Sequence, residues 1–139
     1  PFFKKKLKGF IGISSAPEFL EELMWKKFNN KIKKTILTKK IYHLEHGEYT
    51  YPITKQLIFD GRKNKILNNK INLKIPVVLF HGLNDEVVPL KISKKIFQIC
   101  KKSQKKLIKI KNGNHSLSRK SDLKRICVEL SRIVKNQIH

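Results

Sequence analysis

Apolar residues never run for the roughly 18 positions that a membrane-spanning helix needs, so the sequence predicts no such helix. The basic residues 4–6 precede only a short apolar run, which is not typical of a secretory signal peptide. Cysteine is also scarce, and Cys100 and Cys127 make neither a CxxC motif nor a metal-binding spacing. Both lie in predicted helices among apolar neighbours, so we expect buried, reduced thiols and a cytoplasmic protein.

Acidic residues are few: ten Asp and Glu stand against 32 Lys and Arg, which gives a formal net charge of +22. Such an excess is typical of proteins that bind nucleic acid or anionic membranes. Here nearly all of it is Lys, spread along the whole chain without an interleaved ladder of aromatic residues. Lys, Ile and Asn share A/T-rich codons, so genome base composition explains the bias as well as a partner does. A nucleic-acid partner is therefore not expected, although a basic binding module stays an alternative.

The most informative stretch is an apolar run, Val77–Phe80, followed by a turn and a helix. The run is rich in β-branched residues and too short for a helix, which predicts a strand buried on both faces of a parallel sheet. Gly82 breaks the run, Asp85 follows on a turn, and Pro89 begins a helix predicted over 90–101. An Asp at the carboxyl end of such a strand lies where open α/β sheets carry their chemistry.

Three parallel strands are predicted in all, at about 7–14, 75–81 and 107–111. Helices flank them, the last beginning near Ser121. That helix has a predicted apolar stripe made of Leu123, Ile126, Cys127, Leu130, Ile133 and Val134. The fold class is therefore α/β, with a short parallel sheet between helices.

Residues 18–74 separate two strands of this sheet and predict an insertion of a size that suits a lid over a site. Pro17 is expected to begin one helix and Pro52 another that runs to about Arg62. Two short strands, 41–44 and 48–51, are predicted between them as a hairpin. Residues 29–40 are basic and give no clear prediction.

Asp85 and His115 each follow a predicted strand, with a crossover helix between them. Because such parallel strands lie side by side or nearly so, both loops leave the same edge of the sheet, and the two side chains can meet. A carboxylate bound to one imidazole nitrogen leaves the other free as a base, which is how an acid and a histidine activate a serine. The order Asp then His, after an upstream serine, is that of the α/β hydrolases.

Two loops carry a resemblance to that family. His-Gly-Leu-Asn-Asp-Glu-Val-Val-Pro at 81–89 resembles the acid-bearing loop, and Asn-Gly-Asn-His-Ser-Leu-Ser-Arg at 112–119 resembles the histidine loop. The segments 9–19 and 51–62 resemble a strand and a lid of the palmitoyl-protein thioesterase and acyl-glucuronide esterase group of mitochondria and bacteria. The likeness covers almost the whole chain, but only the carboxyl-terminal half of such an enzyme.

The resemblance implies a partial α/β-hydrolase fold in which residues 1–139 are the carboxyl-terminal part of one domain. It implies that Asp85 orients the histidine and that His115 is the general base and later the acid. Met24 and Trp25 are then lid residues that contact the substrate, a small acyl ester or thioester; the alternative is that they belong to the core. No metal or cofactor is implied.

The G-x-S-x-G nucleophile elbow of the family is missing, and with it the donors that stabilise the oxyanion. No glycines frame Ser14 or Ser15 as such an elbow. We therefore expect a truncated chain whose serine lies upstream of Pro1 or on a separate polypeptide. The alternative is an inactive remnant whose unpaired sheet edge promotes aggregation.

Simpler roles exist for each of these residues. Asp85 could cap the helix near Pro89, and His115 could be a surface histidine of a loop. His81 is expected to pack at the end of its strand, with a role in the site as the alternative. The remaining histidines show no ligand spacing and are expected on the surface: His43, His46 and His139.

Overall fold

The computed structural model describes residues 7–135, which divide into two compact units. One unit contains residues 7–16 and 67–135, and the other contains residues 17–66. The strands are β1 (Phe10–Ile13), β2 (Ile41–His46), β3 (Tyr49–Thr54), β4 (Ile71–Asn72), β5 (Val77–Gly82), β6 (Cys100–Lys101) and β7 (Lys105–Ile110). The helices are a π-helical turn (Leu20–Met24), a 3₁₀ turn (Trp25–Lys27), α1 (Asn30–Lys39), α2 (Lys55–Lys63), α3 (Leu90–Ile99) and α4 (Lys120–Lys135).

A parallel sheet in the order β1-β5-β7 is the centre of the first unit. All of β5 is buried, as its uninterrupted apolar run predicts for a central parallel strand. Alternate side chains of β5 point to opposite faces: His81 reaches Ser93 on α3, while Phe80 packs with Ile133 of α4. The three predicted strands are confirmed, with the third beginning at Lys105 rather than 107.

Helix α4 presents a different face to the sheet from the one that the sequence predicted. Ile133 is buried, but Leu123 and Leu130 are half exposed, and Cys127 is exposed, so the prediction of a buried thiol there is wrong. Two carboxylates, Asp122 and Glu129, are buried instead. They are tolerated because each is paired, as Arg119 donates two hydrogen bonds to Asp122 (2.7 and 3.0 Å), and Lys106 and Arg132 contact Glu129.

The helix predicted over 90–101 ends at Ile99, and Cys100 continues into the short strand β6, which pairs with β4. Lys105 donates to the carbonyls of Phe97 (2.7 Å) and Cys100 (3.0 Å), which satisfies backbone acceptors at this helix end. Cys100 is buried, as predicted, and burial raises the pKa of its thiol.

The second unit packs a hairpin and helices around Ile36, Ile53 and Ile58. The predicted hairpin is confirmed and is longer than expected. The helix predicted from Pro52 is wrong at its start, because Pro52 lies in β3 and the hydroxyl of Thr54 caps α2 by accepting from Leu57 N (3.0 Å). Proline is tolerated there since both strands of a two-stranded sheet are edge strands.

The two remaining segments of this unit also differ from expectation. A continuous helix from Pro17 does not form, because Glu18 has a positive φ of 64° and only the π and 3₁₀ turns follow it. Residues 29–40, which gave no prediction, contain α1. Its start is fixed by Asn29, whose side chain accepts from Ile32 N (2.9 Å), and it ends at Lys40 in a left-handed conformation. Within residues 7–135, none of the helices has the length and apolar character needed to cross a bilayer.

Backbone hydrogen bonds join the loops that follow β5 and β7. Leu83 N donates to Ile110 O (2.9 Å) and Asn84 N donates to Gly113 O (2.8 Å). Gly82 makes this contact possible, because a Cβ at that position would overlap the backbone of Gly113 and Asn114. The two loops are therefore held in a fixed relation by main-chain contacts.

We expect Gly82→Ala to lower the free energy of unfolding by about 1–3 kcal/mol, since the added methyl group has only backbone to displace. Urea unfolding followed by circular dichroism measures the change. Gly47→Asn is the control: Gly47 is also at a turn, with a φ of 59°, but has open space around it, and Asn tolerates that φ. Equal stabilities of Gly82→Ala and the unaltered chain would contradict the close approach of the two loops.

Candidate active site

Asp85 lies in the loop after β5, with its side chain fully buried. Its Oδ1 accepts hydrogen bonds from the backbone amides of Val87 (2.9 Å) and Val88 (2.8 Å). This is a capping interaction of the kind that a purely structural aspartate makes. It uses only one carboxylate oxygen, however, and the other remains free for a different partner.

That partner is His115, whose Nδ1 lies 3.0 Å from Asp85 Oδ2. The two side chains that the strand order predicted to meet are thus in contact across 30 positions of sequence. The side chain of His115 is 42% exposed, while that of Asp85 is not exposed at all. With Nδ1 donating to the carboxylate, Nε2 carries the lone pair that a base needs. A catalytic role for this pair stays a prediction.

The histidine loop is fixed at its far end by Leu117, which is completely buried beside Ile110. Asn114 supports the turn, because its side-chain oxygen accepts from Leu117 N (3.1 Å). Asn112 and Leu117 both have positive φ values, 56° and 44°. The turn residues of the sequence therefore position His115 through local bonds and one apolar anchor.

The surroundings of Asp85 favour its ionised form. Burial alone would raise the pKa of this carboxyl, but a hydrogen bond from the Val88 amide, one from His115, the nearby Ser14 hydroxyl and a hydrogen bond from the Val87 amide lower it below its ordinary value. The hydroxyl of Ser14 acts here without making a regular hydrogen bond. An ionised Asp85 is the form that holds a neighbouring imidazole in one tautomer.

Two residues beside Asp85 were not predicted to belong to the site. Ser14 is buried at the end of β1, with a positive φ of 42°, and its amide donates to Phe80 O (2.9 Å). His81 is 1% exposed, and its Nε2 lies 3.8 Å from Asp85 Oδ2. The sequence predicted that His81 packs at the strand end, which is correct, but not that its ring faces the carboxylate. The spacing of four residues between His81 and Asp85 is the only signal for it.

Met24 and Trp25 belong to the second unit and have different surroundings. Met24 lines an apolar cavity of about 430 Å³, together with Phe19, Leu20, Leu44, His46, Tyr51, Pro52, Ile53 and Leu57. Trp25 does not line it, and its ring is covered by the guanidinium of Arg62, 4.8 Å from the ring centroid. Both side chains also pack against the core of this unit.

Side chains that could bind a metal ion are not clustered in the part of the chain that the structure describes. Within residues 7–135, no group of three or more His, Cys, Asp or Glu side chains is arranged to hold a metal ion. His43 and His46 are exposed in the hairpin, as predicted. His139 lies outside the described residues.

Curated relatives share sequence with most of this chain. Palmitoyl-protein thioesterase ABHD10, mitochondrial, from Bos taurus is 26% identical over 125 residues, which cover 86% of this chain and 40% of the relative. The Homo sapiens protein of the same name is 23% identical over the same shares. The chain thus spans less than half the length of these relatives. No family model matches the sequence.

Solved structures share its fold. A candidate hydrolase from Agrobacterium vitis S4 has a TM-score of 0.83 at 22% identity, over 90% of this chain and 49% of that one. Alpha/beta hydrolase domain-containing protein 10 from mouse has a TM-score of 0.76 at 22% identity, over 93% and 52%. Est1E from Butyrivibrio proteoclasticus, with ferulic acid bound, has a TM-score of 0.68 at 21% identity, over 99% and 52%.

These likenesses agree with the parallel α/β arrangement of the first unit. The predicted fold class is confirmed as a parallel α/β arrangement that matches about half of an α/β hydrolase. The chain therefore shares its fold with about half of an α/β hydrolase and is similar in sequence to palmitoyl-protein thioesterases.

Proposed function

We propose that this chain is the carboxyl-terminal part of a serine hydrolase that cleaves small esters or thioesters, to which it supplies the acid and the base. The contact between His115 Nδ1 and the buried Asp85 carboxylate carries the proposal. The names of the similar proteins, a thioesterase and an enzyme solved with an aromatic acid, favour acyl transfer over other reactions of the fold. The serine and the oxyanion donors come from a second half, on a longer chain or on a separate polypeptide.

In this reaction the ionised Asp85 keeps the proton of His115 on Nδ1, so Nε2 accepts the proton of the serine hydroxyl as the serine oxygen attacks the acyl carbon. The imidazolium then returns the proton to the departing alcohol or thiol. Water repeats the sequence on the acyl-enzyme, with His115 again as the base, and releases the carboxylic acid. His115 is exposed enough to meet a serine and a substrate, whereas Asp85 is not.

The second unit is proposed as the lid, within the predicted insertion 18–74. Its apolar cavity is suited to the acyl part of a substrate, since its lining is almost free of polar atoms. Met24 contacts the acyl group in this proposal. Trp25 packs against the core of the same unit with its ring covered by Arg62, and contact between Trp25 and the substrate stays a prediction.

The serine-bearing half is proposed to cover two apolar surfaces of the first unit. Among the described residues, β1 pairs with a strand on one side only, and Phe10 and Ile13 are 43% exposed. On α4, an exposed apolar stripe follows helical spacing: Leu123, Cys127, Leu130 and Val134. In the family the nucleophile segment precedes the strand that corresponds to β1, so its strand is expected beside β1.

The same exposed surfaces also favour the alternative of an inactive remnant, because an unpaired edge and an apolar helix face promote aggregation. A basic binding module is the less favoured alternative, since the lysines are spread along the whole chain and no aromatic ladder interleaves with them. A cytoplasmic location stays a prediction, and the curated relatives are named as mitochondrial.

Complementation tests the hydrolase directly. Co-expression with the amino-terminal half of a palmitoyl-protein thioesterase relative, which carries the serine, is expected to give hydrolysis of p-nitrophenyl acyl esters. His115→Ala should lower kcat by at least roughly 10²-fold, because the general base is lost. His43→Ala, at an exposed position of the hairpin, is the control and should retain full activity. Hydrolysis no faster than with the serine half alone, or unaffected by His115→Ala, would contradict the proposal.

The substitution Leu130→Glu distinguishes a chain that associates with a serine-bearing half from an inactive remnant. Leu130 is 50% exposed, so we expect the stability of the chain alone to change by less than about 0.5 kcal/mol. Association with the serine half should weaken at least tenfold, because a charge would be buried without a partner. Titration of one half with the other, followed by esterase activity, gives the affinity.

Leu37→Glu is the matched control, because Leu37 is an exposed leucine of α1 in the other unit. It should leave the affinity unchanged. If the chain is a remnant, Leu130→Glu will reduce aggregation but alter no activity. Equal effects of the two substitutions on affinity would rule out α4 as the covered surface.

A further inference from the structure

The ring of His81 connects α3 to the buried carboxylate of Asp85. Its Nδ1 lies 2.8 Å from Ser93 Oγ, and its Nε2 lies 3.8 Å from Asp85 Oδ2. Both His81 and Ser93 are 1% exposed, so water does not compete for these atoms. The separation of 3.8 Å is too long for a hydrogen bond, so Nε2 makes none within the described residues. A buried polar atom without a regular partner calls for an explanation.

The charge of Asp85 determines which nitrogen of His81 carries the proton. If Nδ1 carried it, the lone pair of Nε2 would face the carboxylate, which is unfavourable in a buried site. If Nε2 carries it, the N–H points to the carboxylate, and the Ser93 hydroxyl donates to Nδ1. A hydroxyl can donate or accept, so Ser93 fits either form and does not decide between them. The charge of the carboxylate does.

We propose that His81 is a positioning residue for the candidate Asp–His pair. As a neutral imidazole with its proton on Nε2, it directs that proton to Oδ2 of Asp85, the oxygen that His115 also contacts. The amides of Val87 and Val88 hold Oδ1, so the two histidines determine the direction of the other oxygen. The sequence favours a packing role for His81 over a role in the site.

The groups that face His81 keep it neutral. Burial lowers the pKa of His81 most strongly; Asp85 and the Val88 carbonyl oppose this, and His115 adds to the lowering. Asp85 and His115 are the charged or titratable side chains that act on it, and α3 contributes the uncharged Ser93. A neutral donor orients the carboxylate without cancelling the charge that holds His115.

The tautomers can be observed without any activity, so this test does not depend on the serine half. In ¹H–¹⁵N long-range NMR spectra of the ¹⁵N-labelled full chain, His81 is expected to be neutral at pH 7 with its proton on Nε2. The His81→Phe spectrum assigns the signals by their loss. In Ser93→Ala the proton should stay on Nε2, because Asp85 still faces it.

Asp85→Asn should reverse the tautomer. The amides of Val87 and Val88 retain the carbonyl oxygen of the new side chain, so its NH₂ group takes the place of Oδ2. Both facing imidazole nitrogens must then accept, which moves the proton of His81 to Nδ1 and that of His115 to Nε2. A proton on Nδ1 of His81 in the unaltered chain, or a His81 tautomer unchanged by Asp85→Asn, would overturn the proposal.

Stability gives a second measurement of the neutral state. Because the pKa of His81 lies below 6.5 in the folded chain, the unfolded chain takes up the proton first as the pH falls. Stability from this group is therefore complete above pH 6.5 and is lost as the pH falls toward the folded pKa. The unfolding equilibrium constant should rise by up to about tenfold per pH unit in that window.

His81→Phe removes this proton uptake, so its stability should change less between pH 7 and 5 than that of the unaltered chain. His43→Phe is the control, since its ring is exposed and the substitution should leave the pH dependence unchanged. Urea unfolding at each pH measures both. An equal pH dependence for His81→Phe and the unaltered chain would show that His81 is not held neutral and would count against the proposal.

Discussion

The buried carboxylate of Asp85 is the interaction on which the site depends. A charge with no exposed surface is costly unless it is hydrogen-bonded, and here two amides, one imidazole and a nearby hydroxyl favour the ionised form. Both amides belong to the loop after β5, the imidazole to the loop after β7 and the hydroxyl to the end of β1. The carboxylate therefore joins the loops after β5 and β7 beside the end of β1. The same hydrogen bonds to Asp85 stabilise the fold and hold the pair that is proposed to be catalytic.

This arrangement could be predicted in outline from the sequence. The apolar run of β5, the turn residues after it and the histidine after β7 carried enough pattern to predict strands. The handedness of parallel crossovers then predicted that Asp85 and His115 would meet. The second role of Asp85, as an acceptor for its own loop, was offered as an alternative. Its two oxygens perform the two tasks separately.

Other features could not be predicted, and the reasons are physical. The buried face of α4 was misplaced because apolar residues were assumed to point inward, whereas Asp122 and Glu129 are buried with cationic partners. The sequence predicts a helix start at Pro52, because the tolerance of proline in an edge strand depends on pairing that local sequence does not specify. It favours packing for His81, because the tautomer of that ring depends on neighbours that only the fold brings together.

The net charge of the chain has a colloidal consequence for the exposed apolar stripe of α4. The buried carboxylates Asp122 and Glu129 are each paired with cationic side chains, so their burial leaves the formal net charge at +22. This charge makes copies of the chain repel one another at long range, which opposes contact between their apolar stripes. Salt shortens the range of this repulsion to about 10 Å at 0.1 M. Ionic strength thus sets the distance at which apolar attraction between copies takes over.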